Sequence, residues 1–166
     1  MPMSDNLRNA AAELIAVLKM SGYRLSTAES CTGGMVSMAL CSVENSGEYY
    51  NSGFITFSDI AKNRILGVPL KLLSAYTAVS DPVVREMAKG AKRLPDEDIG
   101  LAISGYAGPG GGADGTPAGT VWFAWCLADD SIHTSVRHFE GDYEQVIQQA
   151  TLFALKHLTA LLLPGG

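Results

Sequence analysis

A chain of 166 residues, 47% apolar and 17% charged, has the size and composition of one folded domain spanning residues 1–166, not of a disordered polymer. A formal charge of −5 argues against nonspecific adhesion to nucleic acid or to an anionic membrane, which draws on clustered Lys and Arg. Cys31, Cys41 and Cys126 form no C-x-x-C pair and leave an odd thiol under any pairing, which disfavours a disulfide framework or structural zinc and suits the cytoplasm. No apolar run approaches the roughly 20 residues of a membrane span, and MPMSDNLRNA lacks the order of a signal peptide.

Residues 5–20 carry Leu7, Ala11, Leu14, Ile15 and Leu18 at helical spacing, after Ser4 and Asp5 as caps and before Ser21-Gly22. YRLSTAE reads as a strand from about Tyr23 to Ala28, and MVSMALCSV as a helix starting near Thr32, which leaves Ser30 and Cys31 on the turn. YYNSGFITF is a second strand, followed by a helix capped by Ser58 and ended by Gly67. A short helix over 69–76 precedes another announced by Ser80-Asp81-Pro82 and broken at Leu94-Pro95. DIGLAIS, residues 98–104, is a short apolar run, read as a strand, that ends in GYAGPGGGADGTPAG, a glycine-rich loop longer than a simple turn. TVWFAWCLA and IHTSVRHFE form a hairpin across Asp129-Asp130-Ser131, and a helix from about Tyr143 to Leu162 closes the chain.

Strands alternating with helices predict an α/β fold, a three-layer α/β/α sandwich whose central sheet is mixed because of the late hairpin. Ligands of such sheets bind at the carboxyl ends of strands, where both TAESCTGG and GYAGPGGG fall.

Ser30 before a helix is a nucleophile candidate near unpaired N–H groups, or simply the helix N-cap. Cys31 competes as the better intrinsic nucleophile, or as a buried thiol. Glu29 could orient a substrate amide or cap the helix. His133, His138 and His157 lie on late elements, so an activating base is sought among lysines, and Lys62 stands in the first turn after the second strand. Taken alone, a lysine on a helix is a solvated charge. The glycine loop matches neither a Walker nor a Rossmann pattern, since a strand follows it; its glycines would let backbone approach a ligand, and Tyr106 could stack on a flat ring.

TAESCTGG, FITFSDIAK, AVSDPVVREMAKGA, and SGYAGPGGG with PAGTVWFA follow one another in that order over nearly the whole chain. Together they resemble the CinA C-terminal domain family, the nicotinamide-nucleotide amidohydrolases. The standalone form of the domain is implied, beginning at its first helix. The resemblance implies hydrolysis of the carboxamide of nicotinamide mononucleotide to nicotinic acid mononucleotide and ammonia. A small-molecule nucleotide substrate, no cofactor, no metal and a homodimer go with it. The family's serine lands on Ser30 and its lysine, in Y-S-N-x-x-K, on Lys62. On the mechanism this suggests, Glu29, Cys31, Thr32, Gly33 and Gly34 of the turn and Gly105, Tyr106, Ala107, Gly108, Gly110 and Gly111 of the loop are expected around the substrate and its oxyanion. Arg137 or Lys62 would meet the phosphate. Phe57 and Asp59 stand where the family commonly has tyrosine and asparagine, so the competing expectation is a nucleotide-binding module that has lost the chemistry.

Overall fold

The computed structural model describes residues 3–164. Its strands are β1 (Leu25–Glu29), β2 (Tyr50–Ile55), β3 (Ile99–Gly105), β4 (Thr120–Cys126) and β5 (Ile132–His138). Its helices are α1 (Asp5–Ser21), α2 (Met35–Cys41), α3 (Asp59–Leu66), α4 (Leu70–Tyr76), α5 (Asp81–Arg93) and α6 (Tyr143–Leu162), with a 3₁₀ turn at Ser46–Glu48. The strands form one sheet in the order β2-β1-β3-β4-β5. The first three run parallel, and β4 and β5 add an antiparallel hairpin, so the sheet is mixed as expected.

Local chemistry explains most boundaries. Ser4 accepts the Leu7 N–H at the start of α1, Ser58 accepts the Ala61 N–H at the start of α3, and left-handed Gly22 and Gly67 end those helices. α6 begins in a reciprocal Asp142–Gln145 capping box. One boundary differs from expectation: α2 starts at Met35, three residues after Thr32, because Gly33 and Gly34 take positive φ of 57° and 104° and hold residues 30–34 outside the helix. Ser30 is therefore not the N-cap of α2.

The two faces of the sheet are packed with different sizes of side chain. Leu25, Leu101, Ile103, Phe123 and Trp125 point at α1, α2 and α6 and are almost wholly buried. Each such side chain contributes about 1.5–3 kcal/mol by leaving water. Trp125 Nε1 also donates to the Ala154 carbonyl at 3.2 Å, tying the sheet to α6. The opposite face offers Ala28, Ala102 and Ala124 to Val83, Val84, Met87 and Ala88 of α5. There α5 comes so near that a Cβ at Gly100 would strike the Ala88 carbonyl.

Register puts the site at one edge. Glu29 is level with Ile55 on one side and Ile103 on the other, so Ser30, Thr56 and Ser104 leave the three parallel strands side by side. The chain departs from β1 toward α2 on one face and from β2 toward α3 on the other, which opens a crevice at this edge.

Candidate active site

A cleft of about 290 Å³ at that edge is lined by Ser30, Cys31, Phe57, Asp59, Lys62, Thr77, Ala78, Val79, Ser104, Gly105 and Tyr106. Lys62 reaches it from the first turns of α3 and is only 1% exposed. Its Nζ donates to Ser30 Oγ at 2.9 Å and to the Thr56 carbonyl at 2.8 Å. Burial lowers the lysine's pKa, opposed by the nearby Asp59 carboxylate and by Cys31. A lysine so placed yields a neutral amine more readily than one in water, which is what an activator of a serine hydroxyl requires. The two side chains that the sequence reading paired are thus in hydrogen-bond contact.

Cys31 lines the same cleft, but burial pushes its thiol up to about 12, with Glu29 adding to the effect. A thiol held in that state is a poor nucleophile near neutral pH.

Glu29 turns the other way. It is fully buried, and both carboxylate oxygens accept from the start of α2. Oε1 takes Thr32 Oγ1 at 2.6 Å, Val36 N at 2.9 Å and Gly34 N at 3.3 Å. Oε2 takes Ser37 N at 3.0 Å and Ser37 Oγ at 2.7 Å. Because the Ser37 hydroxyl proton is directed at the carboxylate, its oxygen accepts from Tyr50 Oη at 2.7 Å, and Tyr50 Oη in turn accepts from Thr27 Oγ1 at 2.7 Å. This is a directed chain of donors ending on one carboxylate. Glu29 does not contact the cleft, so the expectation that it orients a substrate is corrected: its oxygens are consumed in capping.

The glycine pair is corrected likewise. The Gly33 N–H is spent on the Ser30 carbonyl at 3.1 Å and the Gly34 N–H on Glu29, so neither is left for an oxyanion. Thr32, Gly33 and Gly34 line a separate cleft with Met38 and Tyr143. In the glycine loop only Gly105 and Tyr106 reach the Ser30 cleft. Ala107 packs into the apolar core, while Gly108, Gly110 and Gly111 lie in a segment that folds back through Gly112 N–H to the Thr116 carbonyl at 2.8 Å. Arg137 is far from a phosphate role as well, since its guanidinium lies 4.6 Å over the Phe153 ring on the α6 face.

Four lining residues escaped the sequence reading. Ser104 is the last buried residue of β3 before the glycine loop, and a hydroxyl at that strand end was a signal available to be read. Thr77, Ala78 and Val79 form the wall opposite the sheet, and Thr77 has φ 65° and ψ 168°, a conformation that costs a β-branched residue about 1–3 kcal/mol. No sequence pattern announces it.

A three-layer α/β protein with a buried Ser–Lys pair at the carboxyl ends of its parallel strands is the class of molecule that these features define. The family model of the CinA C-terminal domain matches residues 7–162, and the chain belongs to that family. It is 49% identical to protein YdeJ of Escherichia coli K12, across 96% of this chain and 92% of that one. It is 41% identical to the nicotinamide-nucleotide amidohydrolase PncC of the same strain, across 94% of this chain and 95% of that one. Among solved structures, a CinA superfamily protein from Klebsiella pneumoniae superposes with a TM-score of 0.92 at 46% identity, covering 94% of this chain and 97% of that one.

Proposed function

We propose that the cleft hydrolyses the carboxamide of nicotinamide mononucleotide to the carboxylate and ammonia through a Ser30 acyl-enzyme. The 2.9 Å contact between Lys62 Nζ and Ser30 Oγ, buried at the ligand end of the sheet, carries this reading, and the similarity to PncC proteins supports the substrate class. Ser30 Oγ attacks the amide carbon while neutral Lys62 takes its proton, giving a tetrahedral oxyanion. Cys31 and Gly105 line the cleft, and the oxyanion role is assigned to their backbone N–H groups. Collapse breaks the C–N bond, Lys62 returns the proton to nitrogen, and ammonia leaves. Water then adds to the ester with Lys62 again as base, releasing the acid and restoring Ser30.

A second reading, a binding module without turnover, is favoured by Phe57: it brings no hydroxyl to the cleft, and its ring is 73% exposed at the rim. Ammonia release from nicotinamide mononucleotide separates the two. Wild type and Cys31→Ala release it and Ser30→Ala does not; tight binding without release by wild type selects the module, and loss in Cys31→Ala alone transfers the nucleophile to the thiol. Phe57→Tyr tests whether a hydroxyl at 57 raises the rate. A homodimer in the cytoplasm belongs to the same proposal, and sedimentation equilibrium measures the first part.

A further inference from the structure

The glycine-rich loop between β3 and β4 touches the cleft only through Gly105 and Tyr106. Its two feet are tied together: the Tyr106 N–H donates to the Thr120 carbonyl at 3.0 Å, and the Tyr106 carbonyl accepts the Gly119 N–H at 2.6 Å. Between those ties the chain closes on itself, through Gly112 N–H to the Thr116 carbonyl at 2.8 Å, Gly115 N–H to the Gly112 carbonyl at 3.1 Å and Thr116 N–H to Asp114 Oδ1 at 3.0 Å. A loop bonded internally in this way is a fixed body and not a flap free to wrap a ligand. Resting on the amidase reading just given, we infer that the loop acts on the substrate at second hand: Gly112 backs the ring of Tyr106 and fixes it as the aromatic wall against which the flat pyridine carboxamide lies.

A comparison of two glycines carries this. Neither Gly110 nor Gly112 has a positive φ, so at both positions the backbone itself would accept a side chain. A Cβ on Gly110 would meet nothing within 4 Å. A Cβ on Gly112 would lie 2.7 Å from both Cε2 and Cζ of the Tyr106 ring, and 2.7 Å from Asp114 Oδ1, well inside van der Waals contact. What requires glycine at 112 is thus the neighbouring side chains, the Tyr106 ring foremost, and not the turn. Among the described residues no hydrogen bond and no aromatic contact orients the Tyr106 side chain, so packing alone sets its ring. Gly112 does not line the cleft and Tyr106 does, so the glycine meets the ring from outside, and a methyl group there drives the ring toward the space beside Ser30. An aromatic wall next to the Ser30–Lys62 pair suits a flat heteroaromatic amide, whose ring gains by stacking or edge contact while its carboxamide meets the serine. Tyr106 touches the substrate, and Gly112 is a positioning residue that acts through it.

The test is a double-mutant cycle on equilibrium binding of nicotinamide mononucleotide, run in Ser30→Ala protein so that no turnover occurs. Adding Gly112→Ala should weaken binding about tenfold, and adding Tyr106→Ala about tenfold or more. The variant carrying both should bind no more weakly than the one with Tyr106→Ala, because without the ring the methyl has nothing to displace. Tyr106→Phe keeps the ring and should restore the full sensitivity to Gly112→Ala, while Gly110→Ala should stay within about twofold of its parent. With Ser30 in place, Gly112→Ala should raise KM more than it lowers kcat. Weakening by Gly112→Ala that is equal with and without the Tyr106 ring, or matched by Gly110→Ala, marks a general loosening of the loop and overturns the inference, as does undiminished binding by Gly112→Ala. Ammonia release by the wild-type protein is scored separately: coupled loss of binding without release retains the wall and removes the hydrolase, release without coupling retains the hydrolase and removes the wall, and absence of both binding and release removes both.

Discussion

Glu29 and Ser30 are adjacent in the chain and occupy opposite chemical situations. The carboxylate faces α2, wholly enclosed by five donor contacts; the hydroxyl faces the cleft and meets a single lysine. The more acidic group of the motif thus does structural work and the less acidic one is left reactive. A turn that must hold a nucleophile steady needs its helix N-terminus satisfied by something other than the nucleophile, and the neighbouring acid supplies that. The arrangement also removes α2's first N–H groups from any role at the substrate.

The sharpest way to break the comparison is to remove each residue in turn. Ser30→Ala should lower ammonia release by about a thousandfold or more while changing stability by under about 1 kcal/mol in urea melts. Glu29→Ala should do the reverse in kind, orphaning the buried N–H of Val36 and the half-buried N–H groups of Gly34 and Ser37 and costing about 3–5 kcal/mol of stability. A stable Glu29→Ala protein with an altered KM and normal melting would end the division of labour.

The acid–base side of the comparison shows in pH. Lys62 accepts a proton only as the free amine, and its folded pKa lies below that of an ordinary lysine because it is buried. Activity should therefore fall about tenfold per pH unit below that pKa and level off above it. Asp59 favours the charged amine, so Asp59→Asn should carry the falling limb to lower pH in a kcat/KM profile. The smallest effect belongs to the far end of the Glu29 chain: Tyr50→Phe should cost about 1 kcal/mol and leave kcat nearly unchanged.

Periodicity and caps made most of the fold legible. The closing helix was bounded at Tyr143 and Leu162 by its apolar stripe, and Ser58 with Gly67 framed α3 and so fixed where Lys62 stands. Lys62 would meet Ser30 only if β1 and β2 ran parallel, and the sheet pairs them so. What stayed hidden was decided by contacts across the sequence. The true start of α2 depends on an acid five residues upstream of its N-cap, a reversal of the usual order in which the cap itself carries the side chain. Tyr50, Ser37 and Thr27 read as strand and helix residues, and only the sheet brings their hydroxyls into line. Thr77 to Val79 reach the cleft because they lead into α5, which packs across β1, a long-range contact that no local pattern encodes.

The absent side chain at Gly100 has a consequence some distance away. It lets α5 ride against the sheet, and α5 begins just after Thr77, Ala78 and Val79, the wall facing Ser30 and Ser104. The cleft thus works as a vice with one jaw on the strands and the other ahead of a helix, and its gauge depends on a single hydrogen atom buried near the start of β3. Substrate size can be tuned in this fold by residues that never meet the substrate, through the spacing of two layers.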